Sequence, residues 1–198
     1  MLLYHGSSKS GLQTLQPFTA DHGKPYVYFS TNETAAAFYA AGPVERPYYW
    51  FPYSFDAACK AVYTETYPEA FHQTYHQKSG TLYICEVADD ALLRFPSNPF
   101  TRLSAKPVQV TRSCPIENLH DWFLQRECDG ALLIQRFETV ARLELASWHG
   151  KVLEDLRAAC AQTRENAFAA FVQRTMPQVW ERFISEPEYE CSYAGPII

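Results

Sequence analysis

Two short β-type runs near the start of the chain constrain its fold more than any other feature. Residues 3–8 read Leu-Tyr-His-Gly-Ser-Ser, and residues 27–30 read Val-Tyr-Phe-Ser, so each run ends on small or polar residues. The second run leads into residues 30–33, Ser-Thr-Asn-Glu, which have the Ser-x-x-Glu form of a helix capping box. An alanine-rich stretch follows. This order predicts two strands, at residues 1–5 and 26–29, with a helix beginning directly after the second.

The remainder of residues 1–150 predicts an α+β domain. Several segments have the apolar or alternating character of strands: 81–87, 108–112, 131–134 and 140–145. Two segments have a helical pattern: 68–77 and 115–126. Residues 98–107 are predicted to form a loop. Prolines and the aromatic run Tyr48–Tyr53 predict that residues 42–80 form an irregular, aromatic insertion.

The last part of the chain has a different pattern. From about Lys151, apolar residues recur at helical spacing as far as Pro177, and a shorter helical pattern continues to Ile184. We therefore expect a C-terminal helical extension over residues 151–198, and the simplest use of its apolar stripe is to pack on the preceding domain. A partner-binding face is the alternative.

Composition narrows the class of protein. The formal net charge of the 198 residues is -5, which argues against a nucleic-acid binder that relies on a broad basic surface but leaves nucleotide ligands open. The six cysteines form no Cys-x-x-Cys pair, and neither a signal peptide nor an apolar run of membrane-spanning length is evident. We therefore expect a cytoplasmic protein without a membrane partner. The oligomeric state is left open.

Short motifs in a fixed order resemble the ADP-ribosyltransferase superfamily, and within it the small rifamycin-modifying ADP-ribosyltransferases. The blocks, which fall within residues 3–110, are 4–7, 27–30, 36–41 and 80–87, followed by a segment at 97–102 that is similar to an Asn-Pro-x-Arg loop. The resemblance implies a split, mainly antiparallel sheet with a central cleft. It also implies NAD as a substrate.

The resemblance implies a role for each matched residue of the first two blocks. His5 would hydrogen-bond a ribose hydroxyl of NAD, the Gly6 backbone would meet the nicotinamide carboxamide, and Tyr28 would stack on the nicotinamide ring. Ser7 would be a further NAD-binding residue. These residue types suit the roles, because imidazole both donates and accepts, glycine has no Cβ, and an aromatic ring stacks. We expect the side chains of His5 and Tyr28 to lie side by side around one planar base.

The chemistry also needs a carboxylate, because cleavage of the nicotinamide–ribose bond develops oxocarbenium character. Glu117 is the preferred candidate because a residue beyond a strand end can point into a cleft. It is equally suited to a first helical turn, where an acid complements the helix dipole. Asp89 and Asp90 are the alternatives. His5, Tyr28 and Glu117 are thus the predicted catalytic residues.

One histidine pair has the spacing of a metal site. His72 and His76 lie four residues apart in a predicted helix, but the glutamate of a His-Glu-x-x-His motif is missing and the sequence shows no third ligand. We predict no metal site.

The predicted function is therefore transfer of ADP-ribose from NAD to an unidentified acceptor, either a small molecule or a protein. Two alternatives stay open. The same scaffold without its acid could bind a nucleotide or a protein without chemistry, or it could serve an RNA 2′-phosphotransferase-like enzyme.

Overall fold

The chain divides into two units, each of which is described by itself. A computed structural model describes residues 1–19, 23–42, 52–95, 98–162 and 167–186. The first unit comprises the described residues up to Val140, and the second begins at Ala141. The change of unit therefore comes ten residues before Lys151, where the helical pattern of the sequence becomes clear.

The first unit contains the strands. Their bounds are β1 (Leu2–Ser7), β2 (Thr14–Leu15), β3 (Phe18–Thr19), β4 (Pro25–Ser30), β5 (Tyr53–Phe55), β6 (Ala61–Thr64), β7 (Gly80–Glu86), β8 (Leu93–Phe95), β9 (Asn98–Ser104), β10 (Val108–Gln109), β11 (Arg112–Ile116) and β12 (Leu132–Gln135). The helices of this unit are α1 (Glu33–Ala37), α2 (Ala70–Tyr75) and α3 (Leu119–Cys128), with short 3-10 turns at 38–41, 89–91 and 137–139.

A seven-stranded antiparallel sheet forms the centre of the first unit. Its order is β11-β7-β1-β4-β9-β8, with β3 paired to β4. Strand β1 pairs with β7 along its whole length, from Leu2 opposite Glu86 to Ser7 opposite Thr81. With β4, in contrast, its only registered pair is Tyr4 opposite Ser30. The sheet therefore consists of two well-paired halves that meet along a short seam between β1 and β4.

Helix α1 and the 3-10 turn that follows it, at 38–41, pack directly on the sheet through two glycines. A Cβ atom at Gly6 would overlap the Ala36 carbonyl oxygen, and one at Gly80 would lie 2.5 Å from the Ala40 carbonyl oxygen. Only glycine leaves room for so close an approach of two backbones. Around this contact lies an apolar core that includes Phe38, at 0% exposure.

The capping box predicted at residues 30–33 is shifted in the structure. The N-cap of α1 is Asn32, whose Oδ1 accepts a hydrogen bond from the Ala35 backbone N–H at 2.9 Å. Ser30 instead accepts a hydrogen bond from the Asn32 backbone N–H at 3.0 Å. The prediction of Ser30 as the cap was wrong, because asparagine is an equally good cap and lies closer to the first helical residue.

Two predicted segments of the first unit differ in type. Residues 98–104, predicted as loop, form strand β9, because Pro99 lies near the strand start, where its missing N–H does little harm. Strand β11 extends to Ile116, so α3 begins at Leu119, with Asn118 as its N-cap, and not at Pro115.

The predicted irregular insertion at 42–80 contains regular structure in its described part. Strand β6 is buried at every residue and pairs parallel to β12 and antiparallel to β5. Helix α2 follows. A four-residue buried strand shows no alternation, so the sequence pattern hides it. Residues 43–51, which carry most of the aromatic run from Tyr48, lie outside the described residues.

The second unit is helical where it is described. Its helices are α4 (Arg142–Gln162), α5 (Ala167–Thr175) and α6 (Pro177–Ser185), and they pack on one another. The strand predicted at 140–145 was wrong, because its alternation marks no buried face: Leu143 is 87% exposed. None of the helices built from the described residues is both long and apolar enough to cross a lipid bilayer.

The predicted fold class is confirmed at the coarse level. The described chain is a mixed α+β structure with antiparallel sheets and six helices. The strands expected around residues 1–5, 26–29, 81–87 and 131–134 are present with slightly different bounds.

The glycine contact generates a stability prediction. We expect Gly6→Ala to lower the free energy of unfolding by about 1–3 kcal/mol or more, because the new methyl group must displace the α1 backbone. Urea denaturation measures this change. Gly150→Ala is the control: it lies within α4 and a Cβ there meets nothing within 4 Å. The control should gain about 0.5–1 kcal/mol, and equal effects of the two substitutions would contradict the packing argument.

Candidate functional site

His5 lies at the seam between the two halves of the central sheet. Its Nδ1 is 2.8 Å from the main-chain carbonyl oxygen of Tyr28. Because a carbonyl oxygen only accepts, Nδ1 carries the proton. Burial lowers the pKa of the imidazole below its ordinary value, and the hydrogen bond to Tyr28 opposes this shift in part. The ring is therefore neutral near pH 7, with the lone pair on Nε2 available to accept a hydrogen bond.

The structure brings His5 to the backbone of Tyr28 and not to its ring. The His5 ring contacts the ring of Phe29 at a centroid distance of 6.2 Å. Tyr28 precedes Phe29 in β4, so its side chain projects from the opposite face of the sheet. There its ring contacts Phe18 and Tyr26, with centroids at 6.0 and 6.4 Å. The two rings do not form the side-by-side pair expected from the sequence.

Gly6 and Ser7 occupy different positions relative to His5. The face of β1 at Gly6 is covered by the backbone of α1, so this glycine serves the helix contact described above. Ser7 shares the other face with His5, by the alternation of side chains along a strand. Its Oγ accepts a hydrogen bond from the Lys9 backbone N–H at 3.1 Å. His5 and Ser7 are thus the two polar side chains that β1 presents on one face.

Tyr83 fixes the loop that follows β1. It is fully buried and lies opposite His5 in β7. Its hydroxyl donates to the Lys9 carbonyl oxygen at 2.7 Å and accepts from the Leu12 backbone N–H at 3.2 Å. These two hydrogen bonds order the chain next to Ser7.

The candidate carboxylates lie outside this contact set. Glu117 is exposed and falls between β11 and the N-cap of α3, so it does follow a strand end. Asp89 forms ion pairs with Arg94 at 3.3 Å and with Arg102 Nε at 4.0 Å. Asp90 is exposed in the 3-10 turn at 89–91. Of the three, Asp89 is the one already next to cationic groups.

A buried carboxylate that sequence analysis missed lies at a cavity elsewhere in the first unit. Glu65 is 4% exposed, and its two oxygens accept hydrogen bonds from the backbone N–H groups of Phe71 and Phe137, at 2.9 and 3.0 Å. It lines a cavity of about 420 Å³ together with residues from α2, α3 and the segment after β12. No pattern around Glu65 could have revealed this, because both partners are backbone groups that only the fold brings near.

Comparison with known proteins gives no match: no family model, no curated protein and no solved structure aligns with this chain. The resemblance to ADP-ribosyltransferases therefore depends on the short motifs alone.

The tautomer of His5 generates a prediction for nuclear magnetic resonance. We expect the ¹⁵N shifts of the His5 ring to show protonation at Nδ1 and a pKa below the ordinary value. Because the unfolded state then binds a proton that the folded state does not, the free energy of unfolding should fall as the pH drops below about 6.5. Protonation at Nε2, or a pKa above the ordinary value, would contradict the assignment.

The buried carboxylate generates a second prediction. In Glu65→Gln, one oxygen that accepts a backbone N–H becomes an NH₂ donor facing that same N–H. We expect the free energy of unfolding to fall by about 1–3 kcal/mol. Glu138→Gln is the control, since Glu138 is exposed at the same cavity. Thermal denaturation of both variants measures the difference, and a neutral Glu65→Gln would refute the role of the carboxylate.

Proposed function

We propose that this chain binds NAD at the seam between β1 and β4 and transfers ADP-ribose from it to an acceptor. The nicotinamide–ribose bond would break with both electrons leaving on nicotinamide, and the acceptor nucleophile would form the new bond to the ribose C1′ while losing its proton. A nearby carboxylate would stabilise the intervening oxocarbenium character.

The observation that carries this proposal is the tautomer of His5. The Tyr28 carbonyl oxygen takes up the Nδ1 proton at 2.8 Å, which leaves Nε2 as an acceptor on a half-buried side chain. Ribose hydroxyls are donors that match such an acceptor. Tyr28 thus contributes through its main chain, which orients the imidazole, and Ser7 adds a hydroxyl on the same face.

The pairing of the central sheet also supports the proposal. Strands β1 and β4 share the single registered pair Tyr4–Ser30, whereas β1 and β7 are fully paired. Two sheet halves joined so sparingly can diverge beyond that pair and form a cleft. His5 and Ser7 follow Tyr4 along β1, so they would line the diverging end.

A non-catalytic nucleotide-binding module is the second candidate, and the carboxylates favour it. The described ion pairs of Asp89 are with arginines, and Glu117 is exposed beyond β11, two strands away from β1. With strands about 4.8 Å apart, the backbone at Glu117 lies roughly 10 Å across the sheet from β1. Such a module would bind NAD without consuming it.

One substitution distinguishes the roles of the two ring nitrogen atoms of His5. Asparagine at this position can keep a donor for the Tyr28 carbonyl oxygen while it removes the Nε2 acceptor. We expect His5→Asn to weaken NAD binding about tenfold, the loss of one good hydrogen bond. Calorimetric titration measures the affinity, and His72→Asn, which alters an exposed imidazole on α2, should bind as the parent protein does. Equal affinities of parent and His5→Asn would overturn the site.

Nicotinamide release then decides between enzyme and module. If the chain is an enzyme, one of Glu117→Gln, Asp89→Asn or Asp90→Asn should abolish release and leave NAD affinity within about twofold. Tight NAD binding with no release by the parent protein would establish the module. No NAD binding by the parent protein would refute both.

A further inference from the structure

Three histidine rings meet on the surface of the first unit, away from the proposed NAD site. His72 lies within α2, His76 directly follows it, and His120 is the second residue of α3. The ring centroids are 4.3 Å apart for His72 and His76, 5.2 Å for His72 and His120, and 5.9 Å for His76 and His120. The fold thus supplies the third imidazole that the sequence around His72 and His76 lacks.

Backbone contacts fix the two helices that carry these rings. The Leu119 N–H donates to the Lys78 carbonyl oxygen at 2.8 Å, which joins the start of α3 to the segment after α2. Phe71 is buried beneath the cluster and contacts the His120 ring at a centroid distance of 5.5 Å. The core therefore fixes the backbone positions from which the three imidazoles project.

The distances between the ring centroids are close to those of a three-histidine metal centre. In such a centre the metal–nitrogen bonds are about 2.0 Å and the geometry is tetrahedral, which places the ring centres roughly 5 Å apart. The three observed centroid distances lie on both sides of this value. His72 and His76 make no side-chain hydrogen bond with any described residue, so their nitrogens can bind an ion without losing a partner.

A carboxylate, that of Asp121, lies next to the imidazole of His120. The Nδ1 of His120 is 3.4 Å from Asp121 Oδ1, and the other oxygen of Asp121 accepts from Asn118 Nδ2 at 2.6 Å. Histidines that bind metals commonly donate their second N–H to such a carboxylate, which fixes the tautomer and makes the free nitrogen more basic. Asp121 would thus direct Nε2 of His120 to the ion.

The cluster also borders a space for a fourth ligand. His72 and His120 line the cavity of about 420 Å³, and so does Glu69, which lies one helical turn before His72. Either the Glu69 carboxylate or a water molecule in the cavity can complete a tetrahedron. The neighbouring Glu65 and Glu138 also line this cavity, so its lining carries three carboxylates against the one guanidinium of Arg136, an excess of negative charge that favours a cation.

We propose that His72, His76 and His120 bind one divalent transition-metal ion, with Zn²⁺ as the best fit to three imidazoles and a tetrahedral geometry. As the side chains lie, no three potential ligands in the described part of the chain converge on one point. The rings of His72 and His76 are stacked within 19°, so at least one of them must turn about its side-chain bonds when the ion binds. Both side chains are exposed, which leaves them free to turn.

Cobalt and zinc titrations test the proposal. The exposed cysteines Cys59 and Cys128 are first replaced by serine, because thiolates also bind these ions. In this background we expect one Co²⁺ per chain, with visible ligand-field bands and no thiolate charge-transfer band. Calorimetry should show one Zn²⁺ per chain. Zn²⁺ should also raise the melting temperature, since it binds only the folded state.

Single substitutions then identify the ligands. His72→Asn and His120→Asn should each weaken Zn²⁺ binding at least tenfold, and Asp121→Asn about tenfold through its effect on His120. His5→Asn, which removes an imidazole outside the cluster, should bind Zn²⁺ as the parent background does. If His120→Asn fails to fold, the exposed His72→Asn decides. Retention of binding in His72→Asn, an equal loss in His5→Asn, or no binding by the parent background would overturn the proposal.

Discussion

The contact of two glycines with α1 and the 3-10 turn after it is the constraint on which the first unit depends. Gly6 and Gly80 lie on adjacent strands, and the backbone at Ala36 and Ala40 occupies the space that their side chains would fill. This contact places α1 and the turn at 38–41 tightly over β1 and β7, while Asn32 caps the helix shortly after β4. The helix covers one face of β1, so that His5 and Ser7 are presented on the other.

The proposed NAD site and the proposed metal site use histidine in two different ways. At His5 the protein fixes a single imidazole by burial and by one backbone carbonyl, so that a neutral ring presents one acceptor. At His72 and His120 it leaves rings partly or largely exposed on two helices whose spacing is set by the core beneath. The first arrangement suits a hydroxyl donor, and the second suits a cation that can draw several rings together.

The sequence predicts individual strands and helices better than the contacts between them. Strands β1, β4, β7 and β12 follow from β-forming runs, and the helical character of the C-terminal segment follows from periodicity. Residue contacts across the fold do not follow in this way. The side of β4 on which Tyr28 lies depends on register with β1, the covering of Gly6 depends on how α1 docks, and the meeting of His120 with His72 depends on two helices far apart in the sequence. Glu65 is the extreme case, since its partners are backbone groups.

The parallel pairing of β6 with β12 has a consequence for how the chain acquires its structure. Ala61 pairs with Leu132 and Thr64 with Gln135. Strands β7 to β11 therefore all lie between these two paired strands in the sequence. Contacts between such distant segments form slowly, because a long loop must close first. During synthesis β6 cannot pair with β12 until residue 135 has left the ribosome. The cavity beside Glu65 is therefore among the last features of the first unit to form, after its central sheet can already be paired.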